Sequence, residues 1–248
     1  MRFAIEFELT KNELPVDYRV TFVSFLKSIF KDYDEAIYNQ LYKEGQITKK
    51  PFTFSLYMGS AKFLKDKISL GGNKIILNFS TYENGLGIHF YNSVLSFLNK
   101  EYPLSEQNFM KATRITLNKE YPIDDDTILV KTLSPIIVRQ HERESNKDDY
   151  ILWSHEDFIK VLKDSIESSY KEFAKTDGIE GQISGLVIEP LKMKKTVIFH
   201  ELKKVKTGMN ANLGIMKLQG DRELLDFIVK AGLGSRRGQG FGMMEVIG

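Results

Sequence analysis

The sequence predicts an α+β chain made of two successive β-α-β-β-α-β units, each a sheet with helices on one face. Three observations predict it. Arg2 to Leu9 alternates with period two, as a half-buried strand does. Strand and helix patterns then follow in the order strand, helix, strand, strand, helix, strand as far as Leu117. The same order returns between Thr127 and Ile247 with a longer middle that holds a further strand, after a short link with three consecutive aspartates. At 248 residues the chain is long enough for two domains of about 100–130 residues each.

Each element has its own local reason. In the first strand Phe3, Ile5, Phe7 and Leu9 share one face. Tyr18, Phe22, Leu26 and Ile29 recur at near-helical spacing, and Asp34 reads as a fresh N-cap for a second stretch carrying Ile37, Tyr38, Leu41 and Tyr42, closed at Gly45, so the region is two helices or one kinked near Lys31–Tyr33. Phe52 to Met58 and Lys74 to Phe79 are strands, the latter preceded by a Gly71-Gly72-Asn73 turn. Gly87 to Asn99 is helical, with Ile88, Tyr91, Val94 or Leu95, and Leu98 on its stripe. Phe109 to Leu117 closes the first unit, Thr113, Ile115 and Leu117 alternating with Ala112, Arg114 and Thr116. This order is the ferredoxin-like, or RRM-like, arrangement.

In the second unit Thr127 to Gln140 is a strand and Ser154 to Phe173 an amphipathic helix with Ile159, Leu162, Ile166 and Tyr170 inward. Ile183 to Ile188, Thr196 to Leu202 and Leu213 to Leu218 are strands. Asp221 caps a helix through Lys230, and Phe241 to Ile247 is the last strand. The expected organisation is therefore two tandem ferredoxin-like domains side by side, residues 1–120 and 127–248, joined by a linker at 121–126.

Composition removes several classes of function. There is no cysteine, so disulfide scaffolds, thiolate metal sites and cysteine nucleophiles are excluded. No apolar stretch reaches the roughly 18 residues of a membrane span, and the opening residues lack a signal-peptide pattern, so a cytoplasmic protein without a membrane partner is expected. The four histidines are His89, His141, His155 and His200. No pair of them has metal-ligand spacing, and Asp124–Asp126 reads as a solvated link, so no metal and no cofactor is expected. The net charge of +2 hides an uneven distribution. Residues 121–189 carry 8 Lys/Arg against 15 Asp/Glu, whereas residues 190–248 carry 11 against 5. A basic C-terminal quarter can hold a polyanion on one face.

The run from Gly232 to Gly242 is the most informative stretch. Gly232, Gly234, Gly238, Gly240 and Gly242 surround Arg236 and Arg237 between a helix and a strand. Glycine permits positive φ and close approach of a ligand to backbone N–H groups, and arginine adds forked donors for phosphate. The expectation is a phosphate-backbone clamp. A P-loop or dinucleotide fingerprint would open a helix rather than follow one.

Gly-hydrophobic-Gly, five residues including basic ones, then Gly-hydrophobic-Gly near the end of a tandem ferredoxin-like chain resembles the signature of the RAMP superfamily. Within it the chain resembles the CRISPR repeat-processing endoribonucleases. Phe52-Thr53-Phe54-Ser55-Leu56-Tyr57-Met58 and Thr132-Leu133-Ser134-Pro135-Ile136 agree with this. The resemblance implies binding of CRISPR repeat RNA, or its processed crRNA, and cleavage without a metal. In such cleavage the 2′-hydroxyl attacks the scissile phosphate, giving a 2′,3′-cyclic phosphate and a 5′-hydroxyl.

Members of that group commonly use a histidine late in the first helical region, with a tyrosine and a lysine near it. Here Leu41-Tyr42 stands in the Leu-His place, and Lys50, two residues before Phe52, matches the lysine. Lys27 is nearest to the upstream tyrosine, and Tyr38 is a further member. Tyr42, Lys50, Lys27 and Tyr38 are thus the catalytic candidates. Lys49, Gly232, Gly234, Arg236, Arg237, Gly238, Gly240 and Gly242 are the RNA-binding candidates. Two rival readings keep the fold: a repeat-RNA binder that does not cut, motivated by the missing histidine, and a RAMP subunit of a CRISPR effector complex with other subunits as partners. A small-molecule or anion-binding ferredoxin-like protein outside nucleic acids is the third. A monomer or homodimer is expected.

Overall fold

Phe3, Ile5, Phe7 and Leu9 are buried along β1 (Arg2–Leu9), and Glu6 and Glu8 lie on its other face. This alternation lets the strand sit inside a sheet with one face against helices. The computed structural model describes residues 1–42, 49–120, 122–142, 147–174, 178–202 and 205–248. Gly45, Tyr121 and the His200 side chain lie outside the described residues. The chain divides into two compact units, one of residues 1–50 and 55–120, the other of residues 51–54 and 121–248.

In the first part, β1 is followed by β2 (Glu13–Pro15), α1 (Tyr18–Tyr33), α2 (Glu35–Tyr42), β3 (Phe52–Tyr57), β4 (Ala61–Phe63), β5 (Lys67–Leu70), β6 (Lys74–Thr81), α3 (Asn84–Phe97), β7 (Glu101–Ser105) and β8 (Asn108–Leu117). The main sheet has the order β3-β6-β1-β8-β7, so the four strands of the β-α-β-β-α-β frame take the ferredoxin-like order 2-3-1-4. A small sheet β2-β5-β4 and strand β7 are additions with no helix-length or long alternating signal in the sequence. The core is aromatic. Phe79 and Phe90 stack with centroids 3.7 Å apart, and Phe7 meets Phe22 and Phe25 edge-on.

Two expectations for this unit need correction. In α3 the inward residues are Leu86, Phe90 and Val94, and Ile88 is 54% exposed. The helix starts three residues earlier than expected, and its stripe runs through Phe90 rather than Ile88 and Tyr91. In β8 a bulge falls between the pairs Glu6↔Arg114 and Phe7↔Ala112. The extra residue, Thr113, reverses the alternation, so Ala112 and Ile115 both lie opposite core residues of β1.

The second part runs β9 (Thr127–Thr132), β10 (Val138–Glu142), β11 (Lys147–Ile151), α4 (Phe158–Ala174), α5 (Glu180–Gly185), β12 (Val187–Leu202), β13 (Val205–Gln219), α6 (Arg222–Ala231), a 3-10 turn at Arg237–Gln239 and β14 (Met244–Val246). Its sheet order β12-β13-β9-β14 repeats the 2-3-1-4 pattern. The fold is thus tandem ferredoxin-like. The expected strand Thr127–Gln140 is broken at Leu133–Pro135, where proline removes a ladder donor. The expected strand Ile183–Ile188 is instead helix α5 up to Gly185, with Ile183 buried. The segments Thr196–Leu202 and Leu213–Leu218 belong to one long hairpin, β12–β13. Asp221 caps α6 as expected, its carboxylate accepting from the N–H groups of Glu223 and Leu224 at 3.0 and 3.1 Å.

One buried polar residue ties β13 to the chain between β9 and α4. Asn212 is fully buried, and its amide donates to the carbonyls of Ile136 and Ile151 while its oxygen accepts from the Trp153 N–H at 2.8 Å. Asn212→Ala strands those groups away from water. A loss of about 2–3 kcal/mol is expected, read as a lower urea midpoint with unchanged slope.

Candidate functional site

Asp34 creates the corner on which the first cluster is built. Its N–H donates to the Phe30 carbonyl at 2.8 Å, ending α1, and its carboxylate accepts from the Ala36 N–H at 2.8 Å, starting α2. Tyr38 and Tyr42 are then one turn apart on α2, with ring centroids separated by 5.6 Å. The Lys27 ammonium of α1 lies 5.2 Å from the Tyr42 centroid and that of Lys50 lies 4.9 Å from it. Lys27, Tyr38, Tyr42 and Lys50 therefore gather around one ring, held by cation–π attraction. Lys31 joins them 5.8 Å from the Tyr38 centroid. Sequence reasoning missed Lys31, although its i,i+4 spacing from Lys27 places both on one helix face.

The electrostatics of the cluster are uneven. Lys50 donates from its ammonium to the Leu41 carbonyl, in the last turn of α2, where a cation is favoured. The Tyr42 hydroxyl is buried and has no hydrogen-bond partner among the described residues. Burial first, and the neighbouring Tyr38 second, push its pKa well above the ordinary phenol value. At neutral pH Tyr42 is a proton donor and not a base. Lys49 is exposed just before Lys50. His89 lies apart on α3, its ring 6.2 Å from that of Tyr33.

In the second unit the glycine run has a different use from the expected one. Gly232, Gly234, Gly240 and Gly242 all have φ between 75° and 84°. A β-carbon at Gly232 would come within 2.8 Å of Thr53 Cγ2, and one at Gly240 within 2.7 Å of the Phe54 ring. One at Gly242 would overlap the Leu233 carbonyl. The room these glycines leave is filled by the chain itself. The run closes on its own backbone, with the Leu233 N–H donating to Gly242 O at 2.9 Å and the Gly242 N–H to Pro135 O at 2.9 Å. Gly238, in the 3-10 turn, is partly exposed.

The two arginines also part ways. Arg237 is buried and donates to Gly232 O at 3.3 Å and to Ser169 Oγ at 2.9 Å. Burial lowers its pKa to about 10, so it stays charged at neutral pH. Arg236 adopts a left-handed backbone, φ 58°, and donates to the Tyr150 hydroxyl at 2.9 Å. Asp148 lies 4.0 Å from it and takes closer contacts from His141 at 2.8 Å and Arg139 at 3.2 Å. Burial works upward on the Asp148 carboxyl, and the hydrogen bonds from His141 and Arg139 together with the Arg139 charge outweigh it, holding the group below its ordinary value. Because Arg237 alone of the pair braces the loop from inside, Arg237→Ala is expected to cost about 2 kcal/mol and Arg236→Ala under 1 kcal/mol, compared by thermal melting. Gly242→Ala is expected to cost more than either, since it adds both a clash and a strained φ.

Comparison with known proteins places this arrangement. No curated protein matches the chain in sequence. A solved structure described as a Cas6-related gene product from Pyrococcus furiosus superposes with TM-score 0.82 at 20% identity, covering 100% of this chain and 98% of that one. A RAMP protein described as binding different RNA substrates superposes with TM-score 0.80 at 23% identity, covering 100% of both chains. A CRISPR associated protein Cas6 gives TM-score 0.75 at 21% identity, covering 100% of this chain and 99% of that one. These likenesses share the fold. The family profile "CRISPR associated protein Cas6, C-terminal" matches residues 116–246, more than half of the chain and all of the glycine run, so the chain belongs to the Cas6 family, whose members are CRISPR repeat endoribonucleases.

Proposed function

We propose that the chain binds CRISPR repeat RNA and cuts it by metal-independent transesterification. The 2′-hydroxyl upstream of the scissile phosphate loses its proton to solvent and attacks phosphorus. The bond to the 5′-oxygen breaks and that oxygen takes a proton, leaving a 2′,3′-cyclic phosphate and a 5′-hydroxyl. The observation that carries this reading is the gathering of Lys27, Tyr38, Tyr42 and Lys50 about one ring. Cations fixed around a phosphate relieve the charge that develops on the phosphorane. Lys50, oriented by the Leu41 carbonyl, is the group to stabilise that charge and protonate the leaving oxygen. Phosphate contacts would come from Lys49, Arg236, the turn at Gly238, and the exposed Lys192, Lys194 and Lys195 of β12.

The second reading, repeat-RNA binding without cleavage, has an observation of its own. The Tyr42 hydroxyl, buried and protonated, cannot take the 2′-hydroxyl proton as imidazole would.

End-group analysis of repeat RNA incubated with the protein in EDTA tests the chemistry. Cleavage is expected to persist in EDTA and to stop when the attacking nucleotide is 2′-deoxy; a magnesium requirement overturns the mechanism. Lys50→Ala should slow single-turnover cleavage by roughly 10²-fold. Tyr42→His should speed it at pH 7, because imidazole titrates near ~6.5. Tight binding by the wild type with no product establishes the binder. Arg236→Ala should flatten the salt dependence of binding by about one unit if it meets a phosphate.

A further inference from the structure

The second unit carries a hollow that the lysine–tyrosine cluster does not use; the glycine run reaches its wall through Arg236, which donates to the Tyr150 hydroxyl and lies near Asp148. Its volume is about 570 Å³, within the roughly 300–1,000 Å³ of clefts that take small ligands. Gln140 and Asp149 contribute from β10 and β11, Ser154 and His155 from the segment after β11, and Gly208 and Asn210 from β13. Asp148 and Tyr150 line it too, so its hydrogen-bonding groups are two amides, two hydroxyls, two carboxylates and an imidazole, with Asp148 engaged by His141 and Arg139 and the Tyr150 hydroxyl by Arg236. His155 Nδ1 accepts from the Asp157 N–H at 3.1 Å, so the neutral ring carries its proton on Nε2 and offers a donor there.

A second observation lies on the neighbouring strand. The register of β12 and β13 sets Phe199 opposite Gly208. Phe199 is 63% exposed. A β-carbon at Gly208 would sit 3.7 Å from Phe199 Cε1, so the ring rests against the same glycine that lines the hollow. Exposed Lys194 and Lys195 precede it on β12. An open aromatic ring on a basic strand, next to a hollow of donors and acceptors, matches what an unpaired base needs: a stacking surface, partners for its edge and cations for its phosphates.

We propose that this hollow takes one unpaired nucleobase of a bound RNA, stacked on Phe199 and held at its edge by Asn210, Gln140 and Asp149. The proposal rests on the RNA-binding reading above. The exposed Asp149 carboxylate only accepts hydrogen bonds and repels phosphate, so the base enters and the backbone stays out. The same carboxylate favours guanine, whose ring N–H and amine are adjacent donors.

The test uses fluorescein-labelled uridine decamers whose central position is guanosine, adenosine or abasic, with repeat RNA as the control for binding itself. The wild type is expected to hold the guanosine decamer roughly tenfold more tightly than the abasic one. Phe199→Ala should erase that difference, Phe199→Tyr should keep it, and Asp149→Asn should reduce the guanosine preference over adenosine. All three alter exposed side chains, and circular dichroism checks that each variant is folded. If the wild type binds repeat RNA but does not distinguish guanosine from abasic, or if folded Phe199→Ala still does, the base site is wrong while RNA binding stands. If the wild type binds neither the decamers nor repeat RNA, both readings fall. A Phe199→Ala variant that loses thermal stability yet keeps the guanosine preference shows that the ring only covers Gly208 and overturns the proposal.

Discussion

The chain between α6 and β14 passes so close to its neighbours that four positions cannot carry a β-carbon. Much of the second unit depends on that constraint. The run links α6 to the last strand, and its backbone groups bond to Pro135, Ile137 and each other. The Thr53 hydroxyl donates to Phe241 O at 2.7 Å, which docks residues 51–54 on the same run. Arg237 then reaches Ser169 on α4. A side chain at Gly240 would strike the Phe54 ring, and one at Gly242 the Leu233 backbone. Four of the five glycines in these eleven residues are therefore a requirement of internal packing first, and any ligand meets only what that packing leaves outside, chiefly Arg236 and the turn at Gly238.

The frame of the fold was legible because it rests on local signals. Period-two alternation in β1, the Asp34 and Asp221 caps and the Gly-Gly-Asn turn each act within a few residues. What sequence reasoning lost was set by tertiary contact. The β8 bulge at Thr113 exists only against β1. The α3 stripe turned on where the helix begins, and Phe90 packs on Phe79 from another element. Short strands β2, β4 and β5 pair only with one another and have too few residues for periodicity to show. α5 reads as a strand in the sequence because Ile183, Leu186, Val187 and Ile188 form an apolar run that continues into β12, and six residues are too few for helical periodicity to show.

The site was legible in part for a different reason. Tyr42, Lys50 and Lys27 are named by the resemblance, Tyr38 lies one turn before Tyr42, and the corner at Asp34 is what brings α1 and α2 close enough for these side chains to gather. Their electrostatic state could not be read that way. That the Tyr42 hydroxyl is buried, or that Lys50 is spent partly on a backbone carbonyl, depends on how the corner packs. The glycine run shows the opposite failure: its composition announced importance, but not that its empty faces point into the protein.

Charge counting illustrates how far composition reaches. Residues 190–248 carry 11 Lys/Arg, yet a charge attracts a polyanion only while water and the ligand can reach it. Arg237 is buried, Lys217 pairs with Glu189, and Lys230 pairs with Asp226. Arg236 is engaged by Tyr150 and lies near Asp148. Lys192, Lys194 and Lys195 remain exposed on β12, where side chains alternate between the two faces of a long hairpin. A strand places alternate side chains about 7 Å apart on one face. Attraction for a polyanion in this unit therefore follows the exposed lysines of the hairpin more than the glycine run, and the loop's contribution is to hold α6 and β14 so that the sheet bearing the hairpin keeps its shape.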